Sequence, residues 1–311
     1  MSNRYLVTGG AGFIGSHLVE RLTSDGGRVR VLDDFSTGLR DNLYPLRPAP
    51  EVIDGDVGDP KAVDAAVAGV DVIFHLAALA SVQRSVEAPA ETHRVCATGT
   101  LNILDAARRH GVRRVVYAAS SSAYGMPRGD VQTEDDPVEP LSPYAAAKAA
   151  GELFCQAFAA SYGLETVRLR FFNIFGPRQR ADSPYSGVIA LFAAALSEGR
   201  TPTVFGDGLQ TRDFTHVADV VQALTRAAAA PNVSGRVYNV GTGRGVTLLE
   251  LIAALNRLLG TNATARHGPP RVGDVRHSRA DISRARRELG YEPRVAFEDG
   301  LAETLRWFQR A

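Results

Sequence analysis

The sequence is short of several residue types, and each shortage excludes something. Among 311 residues there are two cysteines, Cys96 and Cys155. Two are too few for a disulfide framework, and neither stands in a Cys-x-x-Cys or similar metal-ligand spacing, so both read as buried thiols and no metal is expected. No stretch approaches the ~18 consecutive apolar residues that a membrane helix needs, so no membrane partner is expected. The first residues, Met1 to Tyr5, run into an apolar strand without the three regions of a signal peptide, which reads as cytoplasmic. A net charge of +1 provides no basic field for nucleic acid, and no such partner is expected. Lysine is nearly absent: of 35 Lys and Arg residues, only Lys61 and Lys148 are lysines. Where arginine supplies almost every cation, a lysine needs a specific reason.

What is present is an ordinary globular composition, 45% hydrophobic and 22% charged, in a chain long enough for one large α/β unit and a smaller lobe. From Arg4 to about Phe171, β-branched runs alternate with helical stretches. Leu6-Val7, Val29–Leu32, Val70–Phe74, Val115–Tyr117 and Thr166–Leu169 read as strands. They carry too little polar alternation for a half-exposed sheet, which implies βαβ units and a doubly wound parallel sheet covered on both faces. Ser142-Pro143 marks the start of a long alanine-rich helix to about Tyr162, and Thr247-Leu248-Leu249-Glu250 is a capping box. A loop rich in Gly, Pro, Arg and Ser between Phe175 and Tyr185 divides a first domain, 1–175, from a smaller α/β lobe, 176–311. Segments near 212–242 are expected to complete the first domain. No fixed-period repeat is present.

Three motifs carry chemistry. Thr8-Gly9-Gly10-Ala11-Gly12-Phe13-Ile14-Gly15 stands between the first strand and the first helix, where Gly9, Gly12 and Gly15 allow a tight turn and close backbone approach to a pyrophosphate. Asp33 closes the second strand 18 residues after Gly15, placed to accept bonds from an adenosine ribose. A carboxylate there repels a 2′-phosphate, which favours NAD over NADP. Asp56 and Val57 suit contact with the adenine, although Asp56 could equally cap the helix near Pro60. In Tyr144-Ala145-Ala146-Ala147-Lys148, the spacing of four puts phenol and ammonium on one helix face, where the cation would lower the phenol's pKa and make it a usable base. Ser120, Ser121 and Ser122 follow the strand at Val115–Tyr117, at the carboxyl side of the sheet where ligands bind; a turn or cap is the competing role for each.

Together these motifs resemble the extended short-chain dehydrogenase/reductase family, specifically the UDP-hexose 4-epimerases, from Tyr5 to about Tyr291. The matching stretches are T-G-G-A-G-F-I-G, H-L-A-A at His75 to Ala78, S-S-S-A-Y-G, Y-A-A-A-K, F-N-I-F-G-P-R at Phe172 to Arg178, and R-D-F-T-H-V-A-D at Arg212 to Asp219. The resemblance implies an NAD-binding Rossmann domain with Phe13, Ile14, Leu76, Ala77 and Ala78 also at the cofactor. It makes Tyr144 the base, Lys148 its partner and ribose ligand, and Ser120 the hydrogen-bond partner of the reacting oxygen. Asn173 would bind the nucleotide sugar, Arg212 and Arg271 the diphosphate, and Ser121 and Ser122 would border the substrate. Ser278 falls where the family borders the sugar's C2 substituent, and being small it leaves room for an N-acetyl group. Arg180 could pair with the carboxylate of a uronic acid.

Family dehydratases and decarboxylases have acids directly after the catalytic hydroxyl. This chain has Ser121 and Ser122 there, which favours epimerisation through a transient 4-keto sugar. UDP-glucose is the first candidate substrate, with UDP-N-acetylglucosamine and UDP-glucuronate behind it. A non-catalytic scaffold and a ketoreductase are the competing classes. Cys96 departs from the asparagine common near the cofactor. By resemblance the partner is a second copy, joined through helices like those at 91–110 and 144–162.

Overall fold

The computed structural model describes residues 3–180, 187–270 and 275–309. Its centre is a seven-stranded sheet. In chain order the strands are β1 (Arg4–Thr8), β2 (Arg28–Asp33), β3 (Glu51–Asp54), β4 (Val72–His75), β5 (Arg114–Ser120), β6 (Glu165–Phe171) and β7 (Arg236–Val240). In space they run β7-β6-β5-β4-β1-β2-β3, with every pairing parallel. The doubly wound sheet expected from the alternation of runs is therefore present.

Period-two alternation explains why those runs look continuously apolar. Leu6, Leu32, Ile73, Val115 and Tyr117 share one core, while Val7, Val31, Phe74, Val116 and Val167 share another across the sheet. A strand buried on both faces has no side left for polar residues. The exception is β6, where Arg168 and Arg170 alternate with Val167 and Leu169 yet are 7% and 3% exposed. The Arg170 guanidinium is held by Glu152 through hydrogen bonds of 2.9 to 3.1 Å.

Helix α1 (Phe13–Ser24) leaves the glycine turn, α2 (Pro60–Val67) follows β3, α3 (Gly99–Arg109) follows β4, and α4 (Pro143–Tyr162) links β5 to β6. Ser142 caps α4 by accepting the Ala145 N–H at 3.2 Å, with Pro143 at the first helical position, as its sequence indicates. Asp59, not Asp56, caps α2, by accepting the Lys61 N–H. Asp56 instead turns its own loop by accepting the Gly58 N–H and pairs with Arg94 at 2.6 Å. Two strands lie outside the apolar runs: β3, just before Asp56, whose residues are half-buried or exposed at the sheet's edge, and β7, which comes from the 212–242 stretch.

A third core, around Phe175, Phe192, Phe214, Leu251 and Leu301, lies in the later part of the chain. There α5 (Val188–Ser197) packs on α6's successor α7 (Leu248–Leu259), where α6 is Val217–Ala229, and short strands Thr211–Arg212, Val246–Thr247 and His277–Ser278 form a small sheet. The capping box at the start of α7 is complete: Glu250 N–H donates to the Thr247 hydroxyl, and Thr247 N–H to the Glu250 carboxylate. Thr247→Ala should cost about 1 kcal/mol of stability, read as a lower midpoint in urea with unchanged slope.

Candidate active site

The carboxyl ends of the strands open onto a cleft of about 310 Å³. Its floor is the glycine turn. Gly9 has φ +68°, and a Cβ on it would lie 2.9 Å from the Ala77 backbone; a Cβ on Gly15 would lie 2.1 Å from the Gly9 carbonyl. No side chain fits at either place, so backbone stays open to an anion at the start of α1. Gly9, Gly12, Phe13, Ile14 and Gly15 all line the cleft, as do Leu76, Ala77 and Ala78 after β4.

Asp33 at the end of β2 is 7% exposed and accepts the Ala11 N–H at 2.8 Å and the Phe35 N–H at 2.9 Å, one on each oxygen. Burial raises its pKa, and those two N–H bonds work against the rise. Each oxygen keeps a lone pair for a ribose hydroxyl. Asp56 and Val57 border the same cleft. The residues present thus fit a dinucleotide.

At the other end stand Tyr144 and Lys148, both lining the cleft from the first turns of α4. Ser120 ends β5 facing the Tyr144 phenol and accepts the Ser122 N–H at 3.2 Å; its hydroxyl lies 2.8 Å from that of Ser122. Ser120 therefore serves both as the cap of a short 3-10 turn and as partner of the phenol. The phenol's electrostatics run against the expectation from spacing. Burial raises its pKa, the Ser120 hydrogen bond only partly offsets this, and the phenol carries its proton at neutral pH. Lys148 is 2% exposed; burial lowers its pKa, while Cys96, Cys155 and Glu152 pull it upward.

Residues beyond the motif reading complete the site. His17 on α1 bonds the Pro177 carbonyl at 2.9 Å and Arg178 bonds Glu20 at 2.6 Å, tying the helix at the anion cradle to the Phe172–Arg178 loop. Burial lowers the His17 pKa to about 4, so at neutral pH it bonds as a neutral imidazole. Asn42 braces the glycine turn through the Ala11 carbonyl at 2.9 Å. No local motif marks His17, Glu20 or Asn42, and the motif that holds Arg178 does not show its partner, because each acts across a tertiary contact.

The expected substrate residues are not all in one place. Arg180 lines the cleft. Asn173 is exposed, with φ +25° and its carbonyl accepting the Thr215 N–H, and Asn173, Ser121 and Ser122 are not in the cleft wall. Arg212 and Ser278 are register partners in the small sheet, also off the wall. Arg271 lies outside the described residues. Asp213, fully buried beside them, ties this sheet to the Thr242-Gly243 turn and to Ala280: it accepts the Thr242 and Gly243 N–H groups, the Thr242 hydroxyl and the Ala280 N–H at 2.6 to 3.1 Å. Among the described residues, no group of three or more His, Cys, Asp and Glu is placed to hold a metal ion, and no helix is long and apolar enough to cross a membrane.

The family model described as the NAD dependent epimerase/dehydratase family matches residues 5–241. The chain belongs to that family. A UDP-glucose 4-epimerase from Mycolicibacterium smegmatis is 43% identical to this family member over 315 residues, covering 98% of each chain. A dTDP-glucose 4,6-dehydratase from Streptomyces niveus is 38% identical, covering 98% of this chain and 93% of that one. Among solved structures, UDP-N-acetylglucosamine 4-epimerase from Methanobrevibacter ruminantium, in complex with UDP-N-acetylmuramic acid, superposes with a TM-score of 0.95 at 36% identity over 99% of both chains. The extended short-chain dehydrogenase/reductase resemblance, the Rossmann fold and the NAD dependence expected from the motifs all stand. This epimerase/dehydratase is an NAD-dependent enzyme.

Proposed function

We propose that the enzyme inverts C4 of a UDP-sugar, with UDP-glucose and UDP-galactose as its pair. The observation that carries this reading is the set at the end of β5. Ser120 faces the Tyr144 phenol, Lys148 stands one turn beyond Tyr144, and the two positions after Ser120 are the uncharged Ser121 and Ser122. Elimination of water needs an additional proton donor where those serines stand, whereas inversion at C4 needs one group that removes and returns a proton.

In this reading NAD, bound along Gly9, Gly12, Gly15 and Asp33, supplies the redox chemistry at the sugar carbon and, when oxidised, a positive charge. Tyr144 takes the proton from the C4 oxygen and later returns it, and Ser120 donates to that oxygen. The fixed ammonium of Lys148 stabilises the phenolate, against the burial that keeps the phenol protonated. Asn173, Arg212 and Arg271 hold the nucleotide and diphosphate, leaving the hexose free to turn over.

Ser278 favours a second substrate. The resemblance sets this small side chain, register partner of Arg212, beside the sugar's C2 substituent, which would suit UDP-N-acetylglucosamine. Arg180 at the cleft would serve UDP-glucuronate in the same way. Purified protein incubated with each of the three sugars, without added cofactor, is expected to convert UDP-glucose to UDP-galactose at the highest kcat/KM. Conversion only when NAD(H) is consumed stoichiometrically would mean a ketoreductase, and no conversion a scaffold.

The domain division at 175/176, a cytoplasmic setting and a homodimer belong to the same reading. The dimer would use the helical stretch 91–110 and α4, on the second of which Leu153, Phe154 and Tyr162 are exposed apolar residues.

A further inference from the structure

Beneath the catalytic pair runs a row of polar side chains at matched register: Thr8 on β1 lies opposite His75 on β4, and His75 opposite Tyr117 on β5. All three are buried, at 0%, 1% and 0% exposure. Their hydrogen atoms are fixed by counting donors. The Thr100 hydroxyl gives its one proton to the Cys96 carbonyl at 2.7 Å, so at 3.0 Å from His75 Nε2 it must accept. His75 therefore carries its proton on Nε2, and Nδ1 accepts from the Thr8 hydroxyl at 2.7 Å, which in turn accepts the Ala77 N–H at 3.2 Å. Every site on the imidazole is used by the neutral form. Burial agrees, holding its pKa at about 3.

This neutral ring packs against Tyr117, with centroids 5.7 Å apart and planes 33° from parallel. Lys148 Nζ sits 4.2 Å from the centroid of the Tyr117 ring. The Tyr117 hydroxyl meanwhile donates to the backbone carbonyl of Lys148 itself at 3.2 Å. The glycine of α4, Gly151, faces that hydroxyl, and a Cβ on it would lie 2.3 Å away.

We propose that Tyr117 is a positioning residue for Lys148: its ring face holds the ammonium, and its hydroxyl fixes the carbonyl of the residue that bears it. An arginine would spread its charge over a plane and prefer a forked acceptor; a compact ammonium on a flexible stem fits over one ring. That is a specific reason for one of the chain's two lysines. The inference rests on the reading of Tyr144 and Lys148 as the working pair, and its test is separable from that reading.

With two lysines in the chain, protein labelled with ε-¹³C-lysine gives two Cε signals, and Lys61→Arg, at an exposed site on α2, assigns the one from Lys148. In the wild type and in Tyr117→Phe, the Lys148 signal is expected upfield of Lys61 through the ring current. In Tyr117→Leu that displacement should vanish. Turnover should follow it: Tyr117→Phe within about threefold of wild type, and Tyr117→Leu lower in kcat by roughly 10- to 30-fold with KM little changed, the loss of a buried cation–π contact. If Tyr117→Leu fails to fold, Gly151→Ala takes its place. The added methyl meets the ring carbon Cζ at 2.7 Å as well as the hydroxyl, so it moves the whole ring away from the ammonium: the Lys148 signal loses its displacement and kcat falls. A Lys148 signal that is not displaced in the wild type, or a Tyr117→Leu enzyme as active as Tyr117→Phe, overturns the proposal. A displaced signal in a protein that turns over no UDP-sugar leaves Tyr117 where it is proposed and removes the epimerase reading instead.

Discussion

Tyr144→Phe is expected to lower kcat roughly 10²- to 10⁴-fold, the range for loss of a positioned general acid–base group, while the protein keeps its fold and its bound NAD. The expectation follows from where the phenol sits. Its hydroxyl faces Ser120 at the end of β5, and its ring lines the cleft together with Lys148. Phenylalanine keeps the ring and its packing and removes only the atom proposed to exchange the proton. Steady-state turnover of UDP-glucose, with NAD content and thermal melting measured on the same preparation, separates the outcomes. Loss of turnover with NAD and melting unchanged supports the assignment. Turnover within a few-fold of wild type would transfer the proton-exchanging role to another group.

The second large effect is one of stability. Glu152 lies one turn beyond Lys148 on α4 and pairs with Arg170 of β6, their side chains 3% and 4% exposed. The Arg170 guanidinium also lies 4.5 Å from the centroid of the Tyr124 ring, and the Tyr124 hydroxyl donates to Asn239 of β7 at 2.6 Å. Removing one member of such a pair leaves a buried, uncompensated charge, so Glu152→Leu should cost about 3–5 kcal/mol. Replacing both partners removes the charge altogether. Glu152→Leu with Arg170→Leu should therefore recover most of that loss, and a double-mutant cycle by urea unfolding measures the difference. A single variant as stable as wild type would mean that the guanidinium finds water or another acceptor. Tyr124 ends the serine turn, so the single variant should also lower kcat through a displaced Ser120.

The fold and the cofactor end of the site were legible because their signals are local. A Gly-rich turn between strand and helix, an acid closing the next strand, and a capped helix opening with Tyr-x-x-x-Lys each lie within one element and its cap. Less legible was whatever depends on what packs against it. Spacing alone put Lys148 near Tyr144 and suggested a lowered phenol pKa, but burial, which no spacing reports, raises it. Asp56 looked like a cap because the true cap, Asp59, is three residues on, and only the backbone conformation separates them. β7 was hidden because its partner, β6, is some 70 residues earlier in the chain, as the register Tyr238↔Leu169 records. His17, Asn42 and Asp213 work through contacts that span at least 29 residues of sequence. His75 and Thr8 stood inside recognised motifs, yet their part in a proton-ordered row emerges only when β1, β4 and β5 are set side by side.

The most direct test of the account follows one atom. UDP-glucose carrying deuterium at C4, incubated with the purified enzyme in ordinary water, should give UDP-galactose that still holds the label at C4, because the proton exchanged by Tyr144 belongs to the oxygen and not to the carbon. Loss of the deuterium to solvent, or a product that has lost water, would contradict it.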